Sequence, residues 1–135
     1  MITYRTGNDL DIDAAIDLYR ASTLGERRPI DDRSRMISML TQANLIISAW
    51  DGDLLVGIAR SLTDFGFVTY LSDLAVRQSH QKQGIGKELT RLTQAAAPQA
   101  LLLLLAAPAA VEYYPHIGFE HFTQAWILRP GQSVK

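Results

Sequence analysis

At 135 residues the chain is long enough for one continuous core and too short for two. Hydrophobic residues make up 47% and charged residues 20%, which excludes a disordered chain, and a formal net charge of −1 lacks the basic excess of a nucleic-acid-binding domain. The absence of cysteine excludes disulfides, thiolate metal sites and a cysteine nucleophile, so any group transfer is direct or uses another nucleophile.

Met1 to Arg5 lacks the apolar core of a signal peptide, and Ile2 to Arg5 reads as a short first strand. Ile12, Ala15, Ile16 and Tyr19 recur at helical spacing, with Asp9 or Asp11 available as cap. The polar segment Thr23 to Pro29 breaks that pattern. Asp31 or Asp32 then caps a second helix carrying Met36, Met39 and Leu40. Leu45 to Trp50, the Asp51-Gly52 turn, Leu54 to Leu62, the Asp64-Phe65-Gly66 turn and Val68 to Val76 predict a three-stranded antiparallel meander.

From Gly84 the period is helical, with Ile85, Leu89 and Leu92 on one face. Leu101 to Leu105, bracketed by Pro98 and Pro108, reads as a short buried strand, and the surrounding Ala100 to Ala107 stretch is too short to span a bilayer. A brief helix from Ala110 to His116 and a final pair of strands from Phe119 to Leu128 complete one α/β domain over residues 1–135. The expectation is a cytoplasmic protein with no membrane partner; a homodimer is compatible with the sequence.

The segment Tyr70 to Thr90 carries the most chemistry. A strand ending at Val76 leads through a polar loop into Gln81-Lys82-Gln83-Gly84-Ile85-Gly86, where a helix starts. The first N–H groups of a helix have no internal partners and sit at the positive end of its dipole. Two glycines there let the backbone close around a diphosphate. A bare G-x-G is more often a softened turn. A P-loop needs a hydroxyl where Glu88 stands, and a dinucleotide fingerprint needs a third glycine near Leu89.

The order of these segments resembles the coenzyme A signature of the GNAT acetyltransferase superfamily, L-x-V followed by R/Q-x-x-G-x-G/A. It stands here as Leu74-Ala75-Val76, then Gln81, Gly84 and Gly86. Glu112-Tyr113-Tyr114-Pro115-His116-Ile117-Gly118-Phe119 is similar to the family's aromatic-Tyr pair four residues before Gly-Phe. The element order matches as well, so the resemblance covers nearly the whole chain. It implies an α/β (α+β) fold in which an antiparallel meander splays against a parallel strand, with helices on both faces. It also implies direct transfer of acetyl from acetyl-coenzyme A to a primary amine, most simply of a small molecule. A non-catalytic acyl-coenzyme A module and a protein or peptide N-acetyltransferase are the alternatives on the same fold.

By the same resemblance, the backbone of Leu74, Ala75 and Val76 pairs with the pantetheine arm as an extra strand. N–H groups among Gln81, Lys82, Gln83, Gly84, Ile85, Gly86 and Lys87 hold the pyrophosphate. Ala107 stands where many relatives carry a cofactor-holding asparagine, a loss on the order of 1 kcal/mol.

Transfer needs a neutral amine, a donor for the negative charge that builds on the acyl oxygen, and a proton for the leaving sulfur. A main-chain N–H in the Leu74–Val76 strand suits the acyl oxygen, and the phenol of Tyr114, on the family's tyrosine position, suits the sulfur. Tyr113 reads as packing. Asp73 is either a base acting through water, an acceptor for backbone N–H groups or a surface charge. Arg27, Arg28 and Phe65, in the two breaks of the pattern, are acceptor-side candidates. No pair of the three histidines has metal-ligand spacing, and no metal is expected.

Overall fold

The computed structural model describes all residues from Met1 to Lys135. The chain divides into two compact units, Met1–Leu105 and Ala106–Lys135. The first runs β1 (Ile2–Thr6), α1 (Ile12–Ala21), a 3-10 turn (Thr23–Arg27), α2 (Arg33–Gln42), β2 (Leu45–Asp51), β3 (Leu54–Thr63), β4 (Val68–Val76), a 3-10 turn (Gln78–His80), α3 (Ile85–Ala96) and β5 (Leu101–Leu104).

Asp11 caps α1 by accepting the Ala14 N–H at 2.9 Å, and Asp32 caps α2 by accepting the Arg35 N–H at 3.1 Å. The polar break between them is a turn whose Gly25 is buried against α1. A Cβ there would lie 2.5 Å from the Tyr19 carbonyl oxygen, so only glycine permits the approach.

The five strands lie in the order β1-β2-β3-β4-β5, with β1 to β4 antiparallel and β4 parallel to β5. Helices α1 and α2 cover one face through Leu18, Tyr19, Met36 and Leu40 against Ile46 and Ile58. Helix α3 covers the other, with Ile85 and Leu89 on Ile47, Val56 and Leu71. The mixed sheet with helices on both faces is as expected.

An irregularity in β4 positions the site. Arg60 of β3 pairs with Asp73 while Ser61 pairs with Leu71, so Ser72 is an extra residue in β4. Before it, Leu71 faces α3; beyond it, Ala75 faces α1. Four residues apart on a regular strand would share a face, so the bulge reverses the alternation.

Two expectations are corrected. β5 is an edge strand and only half-buried, with Leu101 51% exposed, because a terminal strand has a ladder partner on one side alone. In the second unit a 3-10 turn (Pro108–Ala110) and α4 (Tyr113–His116) form, but the pair of strands from Phe119 to Leu128 does not. That segment is irregular, and its Phe122, Trp126, Ile127 and Leu128 are exposed. Strand propensity needs a partner ladder to take effect, and this segment is in none. α4 closes on Gly118, with φ +97°, as the Phe119 N–H reaches back to the Tyr114 carbonyl at 3.0 Å.

Candidate active site

The chain leaves β4 under tight control. The Arg77 guanidinium donates twice to the Leu55 carbonyl, at 2.9 and 3.2 Å, and once to Asp17 at 2.9 Å. His80 lies between Ser79 Oγ (2.7 Å) and Asp51 (2.9 Å), so the loop is tied to the β2–β3 turn, and this contact holds the Asp51 carboxyl below its ordinary range. The Gln81 side chain donates back to the Val76 carbonyl at 2.9 Å. Lys82 (φ +64°) and Gly84 (φ +82°) then turn the backbone through the left-handed region into α3.

No side chain caps α3. Its first internal bond runs from the Glu88 N–H to the Gly84 carbonyl at 3.0 Å, which leaves the N–H groups of Ile85, Gly86 and Lys87 without helical acceptors. A Cβ on Gly86 would meet nothing closer than Val76 Cγ2 at 3.8 Å, and one on Gly84 would meet nothing within 4 Å. The left-handed backbone accounts for glycine at 84, whereas neither packing nor backbone conformation demands it at 86. The space over them and the free donors fit a diphosphate, as in the expected coenzyme site.

Strand β4 also offers an edge. It pairs with β5 only from Val68 to Leu71, so from Asp73 to Val76 its sole ladder partner is β3, and the bulged Ser72 has none. The expected cofactor residues Leu74, Ala75 and Val76 lie on that free edge, which the Arg77–Gly84 loop connects to the uncapped helix.

Asp73 and Arg28 differ from their sequence expectations. The Asp73 side chain is fully buried; Oδ2 accepts from Arg60 Nε and the Tyr19 hydroxyl, both at 2.6 Å, and Oδ1 from Arg28 Nε at 2.6 Å. Burial pushes this carboxyl up, but the Arg60 hydrogen bond and charge, Tyr19 and Arg28 outweigh it and leave it below the ordinary carboxylate range. A carboxylate held on both oxygens in this way is a poor proton acceptor, the geometry of a structural acceptor rather than of the catalytic base expected at Asp73. Arg28 is no free anion receptor either. Besides the Asp73 bond, two more of its five N–H groups go to the carbonyls of Ser72 (3.0 Å) and Arg27 (2.8 Å).

Sequence reasoning missed Tyr19, Arg60 and Ser72 as partners in this arrangement. The signal was Arg60 itself, a charge at an inward position of an apolar strand, since a buried guanidinium requires an acceptor.

Arg27 is exposed. Phe65, 46% exposed, sits at φ +60° in a β3–β4 turn built by Asp64, whose Oδ1 accepts the N–H groups of Gly66, Phe67 and Val68. An open groove of about 470 Å³ adjoins this turn, lined by Leu62, Val68 and Tyr70 among others.

In the second unit Tyr114 is half-buried, its ring edge-on to Tyr113 (5.3 Å) and Phe119 (5.4 Å). Burial and then the neighbouring Tyr113 raise its phenol above the ordinary range, so it remains protonated at neutral pH. No group of three or more His, Cys, Asp or Glu is placed to hold a metal, and no helix is long and apolar enough to cross a membrane.

A mixed sheet that opens beside an uncapped helix, reached from its own strand, is the architecture of an acyl-group-transfer domain. The model of the acetyltransferase (GNAT) domain matches residues 27–127, and the chain belongs to that family and is an acyltransferase. A GNAT-family acetyltransferase from Streptococcus pneumoniae is 27% identical, with a TM-score of 0.74 over 96% of this chain and 99% of that one. A protein of unknown function from meticillin-resistant Staphylococcus aureus is 20% identical, with a TM-score of 0.79 over 96% and 99%. An aminoglycoside N-acetyltransferase solved in complex with coenzyme A shares the fold at 17% identity, with a TM-score of 0.74 over 96% and 94%. No curated protein matches the sequence significantly.

Proposed function

We propose that the chain is one acetyltransferase domain that binds acetyl-coenzyme A and passes its acetyl group directly to a primary amine of a small molecule. The observation that carries this reading is the continuity of the free Ser72–Val76 edge with the uncapped, glycine-lined start of α3. The family match runs across the division at Leu105, which supports one functional domain. The cofactor supplies an activated acetyl thioester. The chain's residues do the rest.

Leu74, Ala75 and Val76 would bind the pantetheine amides as a strand neighbour, and a main-chain N–H of the same stretch would donate to the acyl oxygen. The N–H groups of the Gln81–Lys87 turn would hold the pyrophosphate, with Lys82 and Lys87 adding screened attraction. With Asp73 committed elsewhere, no side chain is assigned as base. The amine is bound neutral and oriented, so proximity supplies much of the rate. The aminoglycoside enzyme, solved with coenzyme A and also with a bisubstrate analogue, supports a small-molecule acceptor. Calorimetry with acetyl-coenzyme A, joined to thiol release across an amine panel, tests the reading. Binding without turnover on any amine, peptides included, would point to the non-catalytic module.

Tyr114 is proposed to protonate the leaving sulfur, on the strength of its motif position and its protonated phenol. Tyr114→Phe is expected to lower kcat about 10²-fold while leaving the Kd for acetyl-coenzyme A within about twofold, because the hydroxyl is needed only as charge builds on sulfur. Unchanged turnover returns Tyr114 to a packing role.

Of the acceptor-side residues, Arg27 and Phe65 remain exposed. If Arg27 recognises an acidic group on the acceptor, Arg27→Ala is expected to raise KM for anionic amines severalfold and leave neutral amines alone. Equal KM values across both classes would dismiss Arg27 as a solvated loop residue.

A further inference from the structure

The bulge in β4 is held by more charge than its packing requires. Around the buried Asp73 carboxylate the chain gathers Tyr19 from α1, Arg28 from the end of the Thr23–Arg27 turn and Arg60 from β3. The same two guanidiniums grip the extra residue. Arg60 donates to Ser72 Oγ at 2.9 Å and Arg28 to the Ser72 carbonyl at 3.0 Å, while the other end of Arg60 reaches the Met39 carbonyl at 3.1 Å. Ser72 is thus fixed through main chain and side chain at the residue where β4 loses its β5 neighbour.

The charge does not balance. One carboxylate faces two guanidiniums, so the cluster carries a net positive charge, and the Arg60 side chain is only 8% exposed. Asp73 can neutralise only one of the two, so the second cation, the Arg28 side chain at 23% exposure, is kept partly desolvated without a carboxylate of its own, which carries a desolvation cost. The same positive charge favours any negative charge that forms nearby, and it is in place before the reaction, so no reorganisation is required.

We propose that Arg28 is a positioning residue for acetyl transfer: through Asp73 and Ser72 it holds the bulged edge of β4 and, with Arg60, keeps a net positive charge beside the place where the acyl oxygen becomes negative. This rests on the reading that acetyl-coenzyme A lies along that edge. Because the charge on the acyl oxygen exists only during transfer, the effect belongs to kcat and not to coenzyme binding. Arg28 also anchors the end of the Thr23–Arg27 turn to the bulge.

The test uses Arg28→Gln, which keeps a donor and loses the charge, Arg28→Ala, and Arg28→Lys, which restores the charge. For each, kcat is read by thiol release with the best acceptor, the Kd for acetyl-coenzyme A by calorimetry, and Tm by thermal denaturation. The expected result is a kcat loss on the order of tenfold or more in Gln and Ala, with Kd within about twofold, and partial recovery in Lys. A purely structural contact would lower Tm alike in all three and leave kcat of the folded protein unchanged; that outcome overturns the proposal. If Ala does not fold, the Gln and Lys pair decides, and equal kcat in those two overturns it as well. A wild-type chain that neither binds acetyl-coenzyme A nor releases thiol removes the underlying functional reading together with this proposal, whereas intact wild-type turnover with charge-independent kcat removes the proposal alone.

Discussion

Asp73→Ala is expected to destabilise the protein by about 3–5 kcal/mol, because it leaves Arg60 and Arg28 as buried or half-buried cations without their carboxylate. For a chain of this length that corresponds to a fall in Tm of roughly 10–20 °C, measurable by thermal denaturation. Asp73→Asn keeps the shape and loses the charge, so it should fall nearly as far. A change below about 1 kcal/mol in both would show the network to be energetically slack.

The pH dependence follows from the direction of the Asp73 shift. Its folded carboxyl lies below the ordinary value of 3.8, so the unfolded chain takes up the proton first as pH falls. The contribution is therefore fully present above about pH 5 and is lost progressively as pH drops through the ordinary value towards the folded one. Urea midpoints of wild type and Asp73→Asn should stand apart at pH 7 and converge only in acid.

Gly86→Val is expected to abolish acetyl-coenzyme A binding, raising Kd by about 100-fold or more, which is about 2.7 kcal/mol. The added side chain would fill the space above the free N–H groups of α3, and Val76 Cγ2, the nearest protein atom to its Cβ, is 3.8 Å away. The fold should tolerate it, so Tm stays within a few degrees while the calorimetric signal is lost. Gly84→Val should also abolish binding. It adds backbone strain of about 1–3 kcal/mol at φ +82°, so part of its effect will appear as lost stability. Wild-type affinity in the folded Gly86 variant would place the diphosphate elsewhere.

Local chemistry made several parts of this protein legible from the sequence. The Asp51-Gly52 and Asp64-Phe65-Gly66 turns, which fold consecutive strands into the meander, a helix cap at Asp9 or Asp11 and another at Asp31 or Asp32 all depend on neighbours within a few residues. So does the glycine-lined start of α3, where the order of strand, polar loop and G-x-G can be read directly. The Phe119–Leu128 segment marks the limit of such reading. Its composition favours strand, but a strand exists only when another chain segment offers a ladder, and pairing is decided at a distance.

The Asp73 cluster shows the same limit in the site itself. Beside the cofactor strand, a lone aspartate could be a base, a cap or a surface charge, and nothing within several residues chooses among them. The choice comes from Tyr19, 54 positions away, Arg28, 45 away, and Arg60, 13 away. The sequence by itself determined where the chain turns, which faces are apolar and where a helix begins without a side-chain cap, because those follow from backbone and side-chain preferences acting locally. Only the tertiary structure decided that β4 is bulged at Ser72, that its edge beyond Leu71 has no β5 partner, and that two arginines share one buried carboxylate, because each depends on segments distant in sequence meeting in one register.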